Sequence, residues 1–251
     1  MALVHTLEKN GNFLFKYRGQ FPVILFLMAI PTIYFTDYEF LKGDDDCRLV
    51  LTIIAGIFSF AGLVIRSIAI GTSNKNTSGR NTQEQVAEAL NTKGIYSSVR
   101  HPLYLGNYFM WIGIVLYTFN IWFVLLISLL FWLYYERIMF AEERFLEKKF
   151  GQSYVDWSMK VNAFWLGFKN YEKTSIPFSI KTIMRREYSG VTATIIGFVF
   201  IDFFRDWFND AQGEVQWKVN HGIVVLIALL ISLIFRTLKH NTKILFEEDR
   251  S

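Results

Sequence analysis

The sequence predicts an all-α protein built as a polytopic bundle of about six membrane-crossing helices, with both termini on the cytoplasmic side. Three observations predict it. Of its 251 residues, 52% are hydrophobic and 18% aromatic, more apolar surface than one soluble core of this size normally buries. The apolar residues come in blocks rather than amphipathic stripes. The basic residues also alternate sides as the positive-inside rule requires.

The blocks run from Phe21 to Phe35, Leu49 to Ile70, Leu103 to Phe119, Ile121 to Phe140, Gly190 to Phe204 and Val219 to Leu238. A crossing helix needs about 20 apolar residues, so the second, third and fourth are comfortable and the other three marginal. Charge placement keeps the count at six. An inside tail with Lys9, Lys16 and Arg18, a loop from Arg66 to Arg100, a stretch from Arg137 to Arg186 and the end from Arg236 hold all but four of the 26 Lys and Arg. The opposite side is acidic, with Asp37, Glu39, Asp44, Asp45 and Asp46 in one loop and Asp206, Asp210 and Glu214 in another.

The net charge of +4 is therefore that of an inner membrane face and makes no case for nucleic acid. The first block lacks a small-residue cleavage site and reads as a retained helix. The one cysteine, Cys47, excludes an intramolecular disulfide, and the four histidines show no metal-binding spacing, so no metal is expected. A prokaryotic cytoplasmic membrane is expected in preference to the endoplasmic reticulum. Three regions follow: a tail, first span and outer loop (1–48), a core (49–173) and a two-span extension (174–251).

The long polar segment from Gly71 to Arg100 reads as a cytoplasmic loop, helix-like from Gln83 to Leu90. The third and fourth blocks meet through little more than Asn120, which requires a tight hairpin. The helical pattern of the fourth continues through Glu142 and Glu143 to a natural stop at Gly151. Beyond it, Gln152 to Arg186 mixes aromatics with bases, as suits the headgroup region.

The informative run is Thr92 to Gly106. Pro102, favoured at the first helical position, starts the third span and leaves Arg100 and His101 at its N-terminal mouth, where an anionic group is expected. Tyr104 offers an aromatic face and a hydroxyl. Gly106 lets a ligand or a neighbouring helix approach. The hairpin then returns Glu142 and Glu143 to the same interface. Successive helical residues point about 100° apart, so one glutamate should face inward and the other solvent or headgroups. Each feature also has a plain reading: Arg100 and His101 as a positive-inside edge, Tyr104 as an interfacial anchor, Gly106 as a packing residue, the glutamates as a solvated helix face.

Taken together, Gly94-x-Tyr96-x-x-Val99-Arg100-His101-Pro102-x-Tyr104-x-Gly106, the hairpin, Glu142-Glu143 and Phe150-Gly151-x-x-Tyr154 resemble the isoprenylcysteine carboxyl methyltransferases and their phospholipid methyltransferase relatives. The match covers roughly Arg66 to Trp165 and is absent from Met1 to Phe35 and from Thr174 onward. The resemblance implies a transferase that binds S-adenosylmethionine without a Rossmann fold and modifies a lipid or lipid-anchored acceptor. It makes Arg100, His101 and Glu143 the catalytic candidates, and Tyr96, Arg100, His101, Tyr104, Gly106, Glu142 and Glu143 the cofactor site. In the unmatched extension, Arg185 and Arg186 are candidates to grip a phosphate headgroup, with a positive-inside flank as the plain alternative. A transporter and a non-catalytic membrane scaffold are the competing functions. Spans nearly free of ionisable groups, with no broken-helix pair or inverted repeat, count against transport.

Overall fold

The computed structural model describes residues 2–41, 44–74, 85–209 and 215–247. Among them the chain is all-helical: α1 (Leu3–Tyr17), α2 (Phe21–Phe35), α3 (Asp45–Gly71), α4 (Pro102–Leu116), α5 (Ile121–Phe150), α6 (Gln152–Ser158), α7 (Ile180–Asn209) and α8 (Val215–Asn241), with short 3₁₀ turns at Glu39–Leu41 and Gly94–Ser97.

All six apolar blocks are helical, but their lengths differ from expectation. Among the described residues four helices, α3, α5, α7 and α8, are long and apolar enough to cross a membrane, and α1 and α2, bent by 80°, pass together as one broken span or re-entrant pair, against the expectation of no broken-helix pair. Helices α2 and α4 have 15 residues each, about 22 Å at 1.5 Å per residue, against a hydrocarbon core of about 30 Å. The third block is thus shorter than its apolar run. The chain turns at Thr118, whose hydroxyl donates to Val115 O at 2.7 Å, and Phe119 adopts the left-handed region at φ 56°. Asn120 then caps α5 by accepting from Phe123 N at 2.9 Å, a favoured N-cap arrangement. At the far end α5 stops, as expected, at Gly151 with φ 55°.

Two other expectations are corrected. Residues 3–17, read as a tail, form α1, which lies on the C-terminal half of α5 so closely that a Cβ on Gly11 would sit 2.1 Å from Arg137 O. The segment from Gln85 to Leu90 is not helical; Gln85, Val86, Ala87, Ala89 and Leu90 instead drape over a cavity and line it, which needs successive residues to face the same way. Gln83 and Glu84, like Asp210 and Glu214, lie outside the described residues.

Small residues set the closest helix contact. Along α3 and α4 a Cβ on Gly62 would meet Gly106 O and Met110 N at 2.5 Å, and one on Gly113 would meet Ser59 Oγ at 2.2 Å. Small side chains allow such approach between apolar helices. Ser59 Oγ donates across the seam to Met110 O at 2.8 Å. Apolar residues then divide into two layers. One beneath the cavity includes Phe15, Val99, Tyr104, Phe131, Tyr135 and Phe164, and one towards the hairpin turn includes Leu25, Ile33, Ile112, Phe123 and Ile201.

At the turn end, Asp202 of α7 accepts from Tyr117 Oη at 2.7 Å and pairs with Arg205 and with His221 of α8 at 2.8 Å. Arg205 also lies over the Tyr117 and Phe119 rings. Asp202, Asp206 and His221 bring potential ligand atoms within 4.8 Å of one another, although Asp202 is already committed to these three partners. At the other end of α7, Ser179 Oγ accepts from Thr182 N at 3.0 Å, and Glu247 near the C-terminus accepts from Thr182 Oγ1 at 2.9 Å. Ser179 N also donates to Gly71 O at the end of α3 at 3.0 Å, so the extension is tied to the core at both ends.

Candidate functional site

The 3₁₀ turn Gly94–Ser97 and the residues after it are held as a second layer against the segment following α6. Gly94 N donates to Glu172 O at 2.8 Å, Arg100 N to Asn162 O at 2.8 Å, His101 N to Ala163 O at 3.1 Å, and Gly167 N to Ser98 O at 2.8 Å. Trp157 Nε1 donates to Tyr96 O at 3.2 Å. This backbone clamp fixes where the side chains project. It also uses the N–H groups of Arg100 and His101, so an anion here meets their side chains rather than those two backbone donors.

His101, only 6% exposed, is bracketed by two carboxylates. Its Nε2 lies 2.9 Å from Glu143 Oε1 and its Nδ1 3.5 Å from Glu142 Oε2. The expectation that one glutamate turns away is corrected: an imidazole carries nitrogens on both sides, so neighbours about 100° apart can straddle it. Arg100 donates from Nη1 to Ser158 O at 2.6 Å. Its Nε lies 3.0 Å from Glu143 Oε1, an ion pair off hydrogen-bonding geometry. Tyr104 lies near-parallel to His101 at 5.7 Å and touches Tyr135 at 4.9 Å.

Burial alone would lower the His101 pKa, but hydrogen bonds to Glu142 and Glu143 and their charge hold it above the ordinary 6.5. A raised folded value means that this pairing contributes its full stability below about pH 6.5 and loses it as the pH rises through the raised value. The thermal midpoint in detergent is therefore expected to fall as the pH is raised from 6.5, and His101→Gln should flatten that dependence. A slope equal in both proteins would remove His101 as its source.

These groups open onto a cavity of about 200 Å³, larger than the roughly 150 Å³ in which an engineered apolar cavity holds benzene, so a planar ring fits its enclosed part. Tyr96, Arg100, His101, Tyr104 and Glu142 line it, as does Arg186. The remaining candidates sit elsewhere. Glu143 stands behind His101 and Arg100 and is not part of the lining. Gly106 faces α3, where a Cβ would meet Arg66 Cγ at 2.4 Å and Gly62 O at 2.8 Å, so the close approach is that of a helix. Arg185, half-buried, is not part of the lining.

Several lining residues were not singled out by sequence reasoning. Arg66 pairs with Glu187 of α7 through two bonds, Nε to Oε2 at 2.8 Å and Nη2 to Oε1 at 2.6 Å, and donates from Nη1 to Asn107 Oδ1 at 2.6 Å. Asn107 Nδ2 donates on to Tyr135 Oη at 3.3 Å, joining α3, α4, α5 and α7 around one wall. Arg18, just past α1, stacks on Phe15 at 3.8 Å and lines the opposite part. Tyr154 and Trp157 of α6 complete the rim. The Tyr154 hydroxyl is buried beside the Glu143 carboxylate, and burial followed by the Glu143 charge pushes its pKa up.

Fold and site thus define a polytopic helical membrane protein with a polar, partly enclosed cavity at one end of the bundle. Residues 51–153, which carry most of that cavity, match the family model described as phospholipid methyltransferase. A protein-S-isoprenylcysteine O-methyltransferase of Schizosaccharomyces pombe is 40% identical over 71 residues, 28% of this chain and 30% of that protein. One of Tribolium castaneum is 31% identical over 101 residues, 40% of this chain and 36% of the relative. The chain spans about a third of the length of these curated relatives. No solved structure matches it. The segment that builds most of the site thus matches the phospholipid methyltransferase model and is similar to parts of isoprenylcysteine methyltransferases, as its motifs suggest. Arg18, Tyr154, Arg186 and Glu187 fall outside it.

Proposed function

We propose that the protein is an integral membrane methyltransferase that uses S-adenosylmethionine and modifies a lipid or lipid-anchored acceptor at the cytoplasmic face, where both termini also lie. The observation that carries this reading is the cluster of Arg100, His101 and Glu142 in the wall of a partly enclosed cavity, backed by Glu143, within the matched segment. When bound, the cofactor supplies a methyl group already activated at a sulfonium centre.

The donor set fits such a ligand. Arg100 and His101 suit its carboxylate, Glu142 suits its amine or ribose hydroxyls, and Tyr96 or Tyr104 supplies an aromatic face to the adenine or the sulfonium. The chain's own work is then to hold the reacting atoms in line and keep water out. Val86, Leu90, Leu103, Phe145 and Leu146 provide an apolar boundary. An ionised carboxylate or phosphate acceptor is already nucleophilic, whereas an ammonium acceptor must first lose a proton to a base such as a glutamate or His101.

The test is calorimetric binding of S-adenosylmethionine to the purified protein in detergent. A charge-assisted hydrogen bond contributes about 1.5–3 kcal/mol, so Arg100→Ala and Glu143→Ala should each weaken binding by about 10- to 100-fold. Unchanged affinity in both variants, or no binding by the parent, would sink the assignment. Incubating membranes with methyl-labelled cofactor then shows whether label enters lipid or protein.

A further inference from the structure

We propose that the strip from Met159 to Lys181 is a docking surface for an anionic layer of lipid headgroups. The inference goes beyond the methyltransferase reading and does not depend on it. Residues 159–179 carry no helix, yet large apolar side chains stand out along them. Met159, Trp165, Phe168, Tyr171 and Phe178, with Ile180 at the start of α7, are exposed by 56% to 83%. Irregular backbone turned towards lipid is not tolerated in the hydrocarbon layer, where its polar groups find no partners. A run of exposed rings is equally ill suited to bulk water. The headgroup region satisfies both, being wet enough for the backbone and apolar enough for the rings.

Charge names the lipid. The strip holds Lys160, Lys169, Lys173 and Lys181 against the one carboxylate of Glu172, and all five are exposed. None of these lysines forms an ion pair among the described residues, whereas Arg66, Arg100 and Lys148 pair with Glu187, Glu143 and Glu8. A lysine beside exposed rings can rest its methylene stem on apolar surface and lift its ammonium to a phosphate. Unpaired lysines interleaved with rings are therefore the complement of an anionic bilayer surface, to which each such base adds attraction. A zwitterionic layer would leave their charge without a counterpart.

The strip is a fixed platform. Val161 and Phe164 turn inward and are buried, and Phe164 packs edge-on against Trp132 of α5 at 5.3 Å. The strip's backbone is bonded to Gly94, Ser98, Arg100 and His101. At its far end Ser179 N holds Gly71 O, and the Phe178 ring lies 2.8 Å from where a Cβ on Gly71 would stand. Docking on a surface already in place costs little ordering entropy. A lipid layer seated on Trp165, Phe168 and Tyr171 thus bears on the segment that holds Arg100 and His101 in position.

The experiment uses the full-length protein in nanodiscs of dioleoyl phosphatidylcholine with a minor fraction of dioleoyl phosphatidylglycerol. Bromine, which quenches indole fluorescence on contact, is carried on the chains of either the phosphatidylglycerol or an equal amount of the phosphatidylcholine. The signal of Trp165 is the part lost in Trp165→Phe. Brominated phosphatidylglycerol should quench it about threefold more strongly than brominated phosphatidylcholine, and raised salt should shrink that preference. Replacing Lys160, Lys169, Lys173 and Lys181 together by Gln should abolish the preference while quenching by phosphatidylcholine persists. Lys9→Gln with Lys16→Gln, both exposed on α1, should leave it intact. Equal quenching by the two lipids overturns the proposal. So does a preference that survives in the four-lysine variant, or one that falls as far in the α1 variant. Quenching by neither lipid overturns it as well: a Trp165 open to aqueous iodide would face water, and one shielded from iodide would face a second copy or another protein. Should the four-lysine variant not fold, the parent's preference and its salt dependence still decide.

Discussion

Gly62→Val is expected to abolish the site without touching it. The new Cβ would lie 2.5 Å from both Gly106 O and Met110 N, atoms of a helix backbone that cannot rotate away, so α3 and α4 must separate. Overpacking a well-filled interior typically costs about 1–3 kcal/mol and occasionally more. The loss should fall at the upper end here, because the seam also carries the Ser59 to Met110 bond and the Arg66 side chain beside Gly106. Moving α4 moves His101 and Arg100 at its start. The expected result is a lower thermal midpoint in detergent and loss of S-adenosylmethionine binding together. Gly56→Ala, on the same helix where a Cβ meets nothing within 4 Å, should leave both unchanged. A Gly62→Val protein as stable as the parent would mean that α3 and α4 do not approach this closely.

Glu187→Ala carries the second large effect. The Glu187 side chain is 4% exposed and that of Arg66 16%, and the two meet through a fork with Asn107 on the remaining guanidinium nitrogen. Removing one member of a buried pair leaves an uncompensated charge and typically costs about 3–5 kcal/mol. Glu187→Gln, which keeps an acceptor but not the charge, should cost less. The order parent, Gln, Ala in thermal midpoint is the expected outcome. Equal midpoints for Ala and Gln would show that shape and not charge is what Arg66 requires.

Much of the fold is legible in the sequence because bilayer-facing helices leave a coarse signal. The apolar blocks locate α2, α3, α4, α5, α7 and α8, Pro102 marks the start of α4, and Gly151 marks the end of α5. What escapes is whatever depends on partners rather than period. Helix α1 is polar along much of its length, with His5, Glu8, Lys9 and Asn10, and is ordered by the groove it shares with α5. The strap from Gln85 to Leu90 carries a helix-compatible composition, yet the cavity it covers outweighs that weak local preference. The α4 run is apolar to Phe119, whereas the turn chemistry of Thr118 and Asn120 ends the helix at Leu116.

The same distinction governs the site. The cluster of Arg100, His101, Glu142 and Glu143 is readable because a short hairpin brings its two halves back together at predictable depth. The bracketing of one imidazole by both glutamates is not readable, since helical geometry alone sends neighbouring side chains apart. Arg66 and Glu187 lie 121 residues apart, and in isolation each looks like a charge at the edge of an apolar helix. Of the pair Arg185 and Arg186, only the fold tells which one enters the cavity wall.

The Arg66–Glu187 pair also bears on how the chain is made. A ribosome releases α3 long before it reaches α7, so during synthesis a guanidinium waits at the edge of the nascent bundle for a carboxylate more than a hundred residues away. Until α7 inserts, the cavity lacks one wall, and the cluster on α4 and α5 has no enclosure in which to act. Insertion of α7 and completion of the pocket are therefore one event. A chain cut short after α6 would leave Arg66 on Asn107 and Leu103 O with no carboxylate to offset its charge.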